Sequence, residues 1–234
     1  MSEREHMYVI YRPLPAALLT LVLAVAGGLA GLVVGAGAGA AWGQRDPGPG
    51  VWNTTNTQTI NGTIVADPYP MLLPSDGSAG VLLVGVGKVG PPQDVRDAVG
   101  MVASITGYLL ERNGLRTLEV QSVEAKESAS TPARPVLDLG TAVITGEILD
   151  SKCYLGAMKP GNGTGHRACA ILCIEGGIPP MLAWRDSLGK MQYALVVGAD
   201  NTPMNTQHLQ HVGHLTNITG ALHSRDGWLW IEPD

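Results

Sequence analysis

The three cysteines of this chain and one histidine lie close together in the sequence, within residues 150–180. His166, Cys169 and Cys173 are separated by three and four residues, so on a helix they lie along one stripe, with Cys153 upstream on a loop or strand end. Thiolate and imidazole groups together suit zinc, or copper in its reduced state. These four residues are therefore a candidate Cys3His metal site.

A structural disulfide is the alternative explanation for the same cysteines. In an oxidising compartment, three cysteines indicate one disulfide and a spare thiol. Cys169 and Cys173 would lie on adjacent turns of one helix, where disulfide geometry is awkward, so the bridge would join Cys153 to Cys169 or to Cys173. A reactive free thiol oriented by His166 is a third interpretation, although no complete set of nucleophile, base and oxyanion donors accompanies it. The chain has no C-x-x-C-H sequence, which excludes covalently attached c-type haem by that signature.

The N-terminal part of the chain is apolar over a length that can cross a bilayer. No charged residue occurs from Pro13 to Gln44. We expect a cytoplasmic N-terminus at residues 1–13, a transmembrane anchor at 14–41 and a tether at 42–56. A cleaved signal peptide is the competing interpretation, although the apolar stretch is longer than its usual hydrophobic region.

Charged residues around this segment favour one orientation. Arg4 and Arg12 precede the apolar stretch and Arg45 follows it, which weakly favours a cytoplasmic N-terminus and an extracytoplasmic remainder. The predicted location is the inner (cytoplasmic) membrane, with the bulk of the chain in the periplasm, where cysteines can be oxidised. The net charge of −5 argues against a nucleic-acid partner, which would favour a basic surface.

Glycine recurs at every fourth position within the predicted anchor. Gly27, Gly31, Gly35 and Gly39 would line one face of a helix and let a second helix approach closely. A composition rich in Gly and Ala explains the pattern equally well. If the packing interpretation is right, the helix has a neighbour in the membrane.

The extracytoplasmic part contains an internal repeat. Residues 99–119 and 212–232 match without a gap, and each contains Asn-Gly or Asp-Gly between apolar-alternating runs, the strongest short signal for a β-hairpin. Weaker matches relate 60–69 to 144–154 and 80–90 to 193–203. The resulting order of elements is a strand, a connection, two strands, a short helix and a hairpin. This order is typical of the five-stranded oligonucleotide/oligosaccharide-binding barrel, the OB-fold.

The repeat sets the predicted domain organisation. We expect a first OB-like domain at 57–123, a linker at 124–138 and a second OB-like domain at 139–234. The fold class is therefore all-β with short helices, in which a transmembrane helix precedes two tandem five-stranded barrels. The Cys/His segment is an insertion in the first connection of the second barrel, with no counterpart in the first.

A second motif, G-x-G-x-x-G, follows an apolar run at Gly85–Gly90. Dinucleotide binding by this motif requires a βαβ unit whose helix begins at the last glycine. Pro91 and Pro92 follow instead, and the repeat places a plain turn at the same position. The context therefore excludes a dinucleotide-binding role.

The second barrel resembles extracytoplasmic bacterial OB-like domains over about 90 residues. The resemblance consists of a D-x-x-C-Y, H-x-x-C-A-x-x-C and G-G-x-P-P pattern, which here begins at Asp150, His166 and Gly176. It implies the fold and the compartment, and it transfers no catalytic residue. The first barrel lacks the motif.

These features favour a membrane-anchored accessory subunit without catalytic activity, belonging to a membrane complex of the respiratory or another redox type. Its partners would be integral membrane subunits, or a second copy bound through the transmembrane helix. The alternative is a metal-binding or metal-delivery module that uses the Cys3His site. Thiol–disulfide exchange is a third class, and it would require a cysteine of low pKa.

Overall fold

A computed structural model describes residues 15–43, 50–128, 134–204 and 206–234. The chain divides into two units, Met1–Asp46 and Pro47–Asp234. The predicted cytoplasmic N-terminus, residues 1–13, lies outside the described residues.

The first unit contains one helix, α1 (Ala16–Gly43). Residues Ala16–Ala41 of this helix have a mean hydropathy of 2.5 and none of them is buried, so its length and composition suffice to cross a membrane. A signal sequence has the same properties. Within the helix itself, open space surrounds the Cα atoms of Gly27, Gly31, Gly35 and Gly39, and the predicted packing of a second helix there stays a prediction.

The second unit contains two β-barrels. The first consists of β1 (Val51–Trp52), β2 (Gln58–Ala66), β3 (Pro70–Pro74), β4 (Val81–Val84), α2 (Gln93–Asp97), β5 (Met101–Arg112) and β6 (Leu115–Ser128). The second consists of β7 (Leu137–Asp150), α3 (Arg167–Glu175), β8 (Pro180–Arg185), β9 (Met191–Gly198), β10 (Thr202–Pro203), β11 (Leu215–Arg225) and β12 (Trp228–Pro233). A π-helical turn at Cys153–Ala157 and 3-10 turns at Ala199–Asn201 and Thr206–His211 complete the described elements.

Both sheets close in the same order. In the first barrel β2, β3, β4, β6 and β5 are neighbours in turn, and β5 pairs again with β2. In the second, β7, β8, β9, β12 and β11 close in the same way. The third and fifth strands of each barrel pair in parallel, and a short helical element precedes the fourth. Two tandem OB-like five-stranded barrels are therefore present, which confirms the predicted fold class.

The two repeated hairpins form because their turn residues adopt positive φ angles. Asn113 and Gly114 have φ of 52° and 81°, and Asp226 and Gly227 have φ of 56° and 80°. A two-residue turn with both φ angles positive matches the twist of the flanking strands, and Asn, Asp and Gly tolerate that conformation best. The dipeptides that signal the hairpins therefore also set their register.

The strands extend further than the sequence predicts. β6 reaches Ser128 and β7 begins at Leu137, so both enter the predicted linker 124–138, while β1 lies in the predicted tether 42–56. The polar residues at the end of β6 pair with β5 up to Ser128 opposite Met101. Backbone pairing with a long neighbouring strand stabilises this extension although its side chains are typical of a linker. Residues 129–133 lie outside the described part of the chain.

The largest hydrophobic core lies between the barrels rather than inside either one. Each barrel has its own buried cluster, and a third joins side chains of both, among them Met71 and Leu82 from the first barrel and Tyr193, Trp228 and Trp230 from the second. The two barrels of this unit therefore fold around a shared core.

Polar contacts between the barrels are reciprocal with respect to the repeat. The first hairpin reaches the second barrel, where the Asn113 amide donates to the Tyr193 hydroxyl at 2.6 Å. The second hairpin reaches the repeat-equivalent position of the first barrel, where the Trp228 indole donates to the Gly80 carbonyl at 2.8 Å. An interface in which equivalent surfaces exchange equivalent contacts is the arrangement of a two-fold dimer, here within one chain.

Candidate metal centre

The candidate site lies in the connection between the first two strands of the second barrel, which we call the long connection (residues 151–179). In the first barrel the same connection comprises only residues 67–69, which we call the short connection. The long connection starts where the Asp150 carboxylate accepts a hydrogen bond from the Cys153 backbone N–H at 2.8 Å. This contact holds Cys153 at the start of its π-helical turn.

Three of the four residues proposed as ligands, Cys153, His166 and Cys169, form one group, and Cys173 belongs to a second group that shares Cys153. Ligand atoms of Cys153, His166 and Cys169 all lie within 4.8 Å of one another, and those of Asp150, Cys153 and Cys173 do so as well. The Cys153 and Cys173 sulfur atoms are 3.9 Å apart. Tetrahedral zinc with Zn–S bonds of about 2.3 Å separates two sulfur ligands by about 3.8 Å. The spacing of this pair therefore suits two ligands of one ion.

His166 is held by a buried carboxylate. Its Nε2 lies 3.0 Å from Oδ2 of Asp150, and the two residues are 4% and 0% exposed. Metal-binding histidines almost always donate their second ring N–H to such a group, which fixes the tautomer and the ring orientation. With Nε2 held by Asp150, Nδ1 is the nitrogen that remains for a metal.

The helical stripe differs slightly from the sequence prediction. α3 begins at Arg167, so Cys169 and Cys173 lie on the helix whereas His166 is the residue that precedes it. His166 still accepts the first helical hydrogen bond, from the Ala170 N–H to its carbonyl at 3.0 Å. The three residues therefore keep nearly the relative positions that a continuous helix would give them.

Burial divides the cysteines into two kinds. Cys153 and Cys173 are 6% and 1% exposed and pack with Val84 and Ile178, whereas Cys169 is partly exposed. Water is therefore excluded from most of the cluster, and Cys169 is the cysteine through which the site meets solvent.

The two buried cysteines are in hydrogen-bonding contact through their sulfur atoms. The hydrogen bond with Cys173, burial and the nearby Asp150 charge raise the pKa of Cys153, in that order. The same hydrogen bond lowers the pKa of Cys173, because it favours the ionised form of that sulfur. A metal that binds here would take the place of the thiol protons, because cysteine binds metals as the thiolate.

The first barrel supplies one side of the site, through the loop Gly85–Gly90, which we call the wall loop. The buried ammonium of Lys152 donates to the Gly85 and Gly87 carbonyls at 2.7 and 2.8 Å, and it pairs with the Glu119 carboxylate. The pKa of Lys88, in the wall loop, is raised chiefly by its hydrogen bond with Cys169. The G-x-G-x-x-G sequence thus lies against the Cys/His cluster, a position that sequence analysis did not predict.

The predicted disulfide has a preferred pair in this geometry. The Cys153 and Cys173 sulfur atoms are in contact at 3.9 Å, and all three cysteines are thiols in the structure. A bridge would require the 3.9 Å separation to shorten to about 2.05 Å. The disulfide therefore stays a prediction alongside the metal site.

The fold and the site define a two-barrel OB-like protein with an N-terminal apolar helix and a buried Cys/His cluster. No protein family matches the sequence. No curated protein and no solved structure matches the chain either. Functional conclusions therefore rest on the site itself.

Proposed function

We propose that this protein binds one thiophilic metal ion, zinc or reduced copper, through Cys153, His166, Cys169 and Cys173. The observation that carries the proposal is that two groups of possible ligand atoms share Cys153. Within each group, all the atoms lie within 4.8 Å of one another. Sulfur and imidazole donors favour these two metals over magnesium, calcium or manganese, which prefer oxygen.

The surroundings of the cluster support the proposal. Asp150 supplies the second hydrogen bond that a histidine ligand needs, and Lys88 brings positive charge towards the cysteines. A buried disulfide alone would need neither the orienting carboxylate nor the histidine.

Metal analysis of the full-length protein in mild detergent tests this function. We expect one zinc or copper ion per chain when the protein is purified reduced, and loss of that ion in His166→Ala. His214→Ala is the matched control, since His214 is exposed and belongs to neither ligand group. Thiol counting completes the test, because a Cys153–Cys173 disulfide with no bound metal would overturn the proposal.

We further propose that α1 anchors the protein in the cytoplasmic membrane, with the barrels on the extracytoplasmic side. The uninterrupted apolar surface of the helix and the arginines on either side of it support this location. Protease added to intact spheroplasts should degrade the barrels, and protection of the barrels would reverse the orientation.

An accessory subunit of a membrane complex, including a respiratory or other redox complex, is the second candidate function. The glycine face of α1, at positions 27, 31, 35 and 39, favours it, because small residues along one helix face let a second helix approach closely. Purification from native membranes in mild detergent provides the test. Co-purifying integral membrane subunits would support this function, and a lone monomer would count against it.

A further inference from the structure

We propose that the first barrel forms the outer wall of the metal centre, so that metal binding and closure of the wall loop on the long connection are coupled. This inference rests on the metal binding proposed above. It assigns positioning roles to Lys152 and Gly176, neither of which is a ligand.

Lys152 connects the wall loop to a ligand. Its side chain is 4% exposed, and within the described part of the chain the acceptors of its ammonium belong to the first barrel: the Gly85 and Gly87 carbonyls and the Glu119 carboxylate. A buried ammonium requires such partners, so Lys152 stays in place only while the wall loop is closed. Since Cys153 is the next residue, the first barrel helps to fix the ligand that both groups share.

Gly176 forms the second contact with the wall loop. Its carbonyl accepts the Gly90 N–H at 2.7 Å, and a side-chain carbon at Gly176 would collide with the Lys88 carbonyl. This close approach of two backbones requires glycine. It also lies just beyond the end of α3, three residues after Cys173.

Two further contacts place the wall loop beside the ligands themselves. Val84, which directly precedes the loop, packs in the buried cluster with Cys153 and Cys173. Lys88 lies beside Cys169, the partly exposed ligand. The wall loop thus covers the side of the cluster that would otherwise be open to water.

Coupling follows from this arrangement. A metal that binds more tightly when the wall loop is closed shifts the protein towards the closed state. Closure of the wall loop raises the metal affinity by the same factor by which metal binding raises the equilibrium constant for closure. Opening the wall without altering any ligand should therefore weaken metal binding.

The test compares two glycine substitutions in full-length protein, with Co²⁺ and Zn²⁺ as probes in competition with a chelator. Gly176→Ala forces the wall loop away. We expect metal affinity to fall about tenfold or more, as it does when residues that hold a metal ligand in place are changed. Gly165→Ala is the control, since Gly165 has open space and no positive φ, and we expect its affinity to stay within about twofold of wild type. Lys152→Met should also weaken binding and should shift the Co²⁺ absorption spectrum.

Hydrogen exchange of the wild-type protein tests the same coupling without any substitution. Metal should slow exchange at the wall loop, especially at the Gly90 amide. The equivalent loop of the second barrel, residues 198–203, should stay unchanged and serves as the internal control.

The outcomes separate the two proposals. If wild-type protein binds no metal, the proposed function and the wall are both wrong. If wild-type protein binds metal while Gly176→Ala and Lys152→Met bind it equally well and exchange at the wall loop is unchanged, only the wall is wrong.

Discussion

The short and long connections occupy equivalent places in the two barrels. Each connection contacts a loop of the opposite barrel, namely the loop that follows the third strand of that barrel. The short connection meets residues 198–203 through Asp67, which accepts a hydrogen bond from Asn201. The long connection meets the wall loop through Lys152. One contact between repeats thus occurs twice, once through the partly exposed Asp67 carboxylate and once through the buried Lys152 ammonium beside a cluster of thiols.

The ion pairs at the two ends differ in burial. Asp67 is paired with Arg225 at 2.8 Å, and their side chains are 42% and 7% exposed. Glu119 is paired with Lys152, and their side chains are 6% and 4% exposed. The first barrel therefore shows that the fold forms with a short first connection. The second barrel shows that a long insertion at the same place adds a buried ion pair and a cluster of thiols.

The largest effect should come from the core that the barrels share. Trp230→Ala removes a fully buried side chain that stacks on Tyr69 of the first barrel, and we expect a loss of about 3–5 kcal/mol in the free energy of unfolding. Denaturant unfolding measured by fluorescence should remain a single transition. Two transitions, with only one of them shifted, would show that the barrels unfold independently.

Metal removal should lower the stability of the whole two-barrel unit through the long connection, where the proposed ligands lie. At a free metal concentration about a thousandfold above Kd, binding adds about 4 kcal/mol to stability, which a chelator should remove from wild-type protein. Cys153→Ser should lose the bound metal, and its Tm should not respond to the chelator. An equal response of Cys153→Ser and wild type would place the metal elsewhere.

Removing the acidic partner should destabilise the protein more at the buried ion pair than at the partly exposed one. Glu119→Ala leaves a buried ammonium with carbonyl partners only, and we expect a loss of about 3 kcal/mol. Asp67→Ala removes a partly exposed partner and should cost about 1 kcal/mol or less. Equal losses measured by denaturant unfolding would contradict the difference in burial.

The smallest effect should come from Glu147, whose repeat-equivalent residue in the first barrel is Thr63. Burial raises the pKa of Glu147, so its ionised form opposes folding, and stability falls as pH rises from its unfolded pKa through its folded pKa. Glu147→Gln should therefore raise stability by a few tenths of a kcal/mol at pH 7, since the partly exposed site is screened by solvent.

The pH dependence of Tm checks the cause of this change. The gain in Glu147→Gln should disappear below about pH 4, where the carboxyl is protonated in both folded and unfolded states. A gain that persists in acid would point to packing instead of charge.

Much of the fold could be predicted from the sequence because its strongest signals are local. Asn113-Gly114 and Asp226-Gly227 mark hairpins through their backbone preferences, and an internal match supplies the order of strands. A further match, Pro-Met-Leu at 70–72 and 180–182, starts the second strand of each barrel and could have placed both strands. The extension of β6 was not predictable from composition, because backbone pairing with β5 stabilises it and its own side chains do not signal a strand.

The site divides in the same way. Cysteine and histidine identify candidate ligands by residue type, whereas the contacts of Lys152 depend on burial of a charge that sequence rules place at the surface. The pairing of His166 with Asp150 joins residues sixteen positions apart through the fold of the long connection. Sequence reasoning therefore predicted the candidate ligands and not the groups that hold them.

The reciprocal interface has an evolutionary consequence. In a symmetric homodimer, one gene encodes both halves, so an insertion in the first connection would appear at both ends of the assembly. In this chain the second copy could gain residues 151–179 while the first kept a short turn. Because both repeats belong to one chain, one end of the interface can differ from the other.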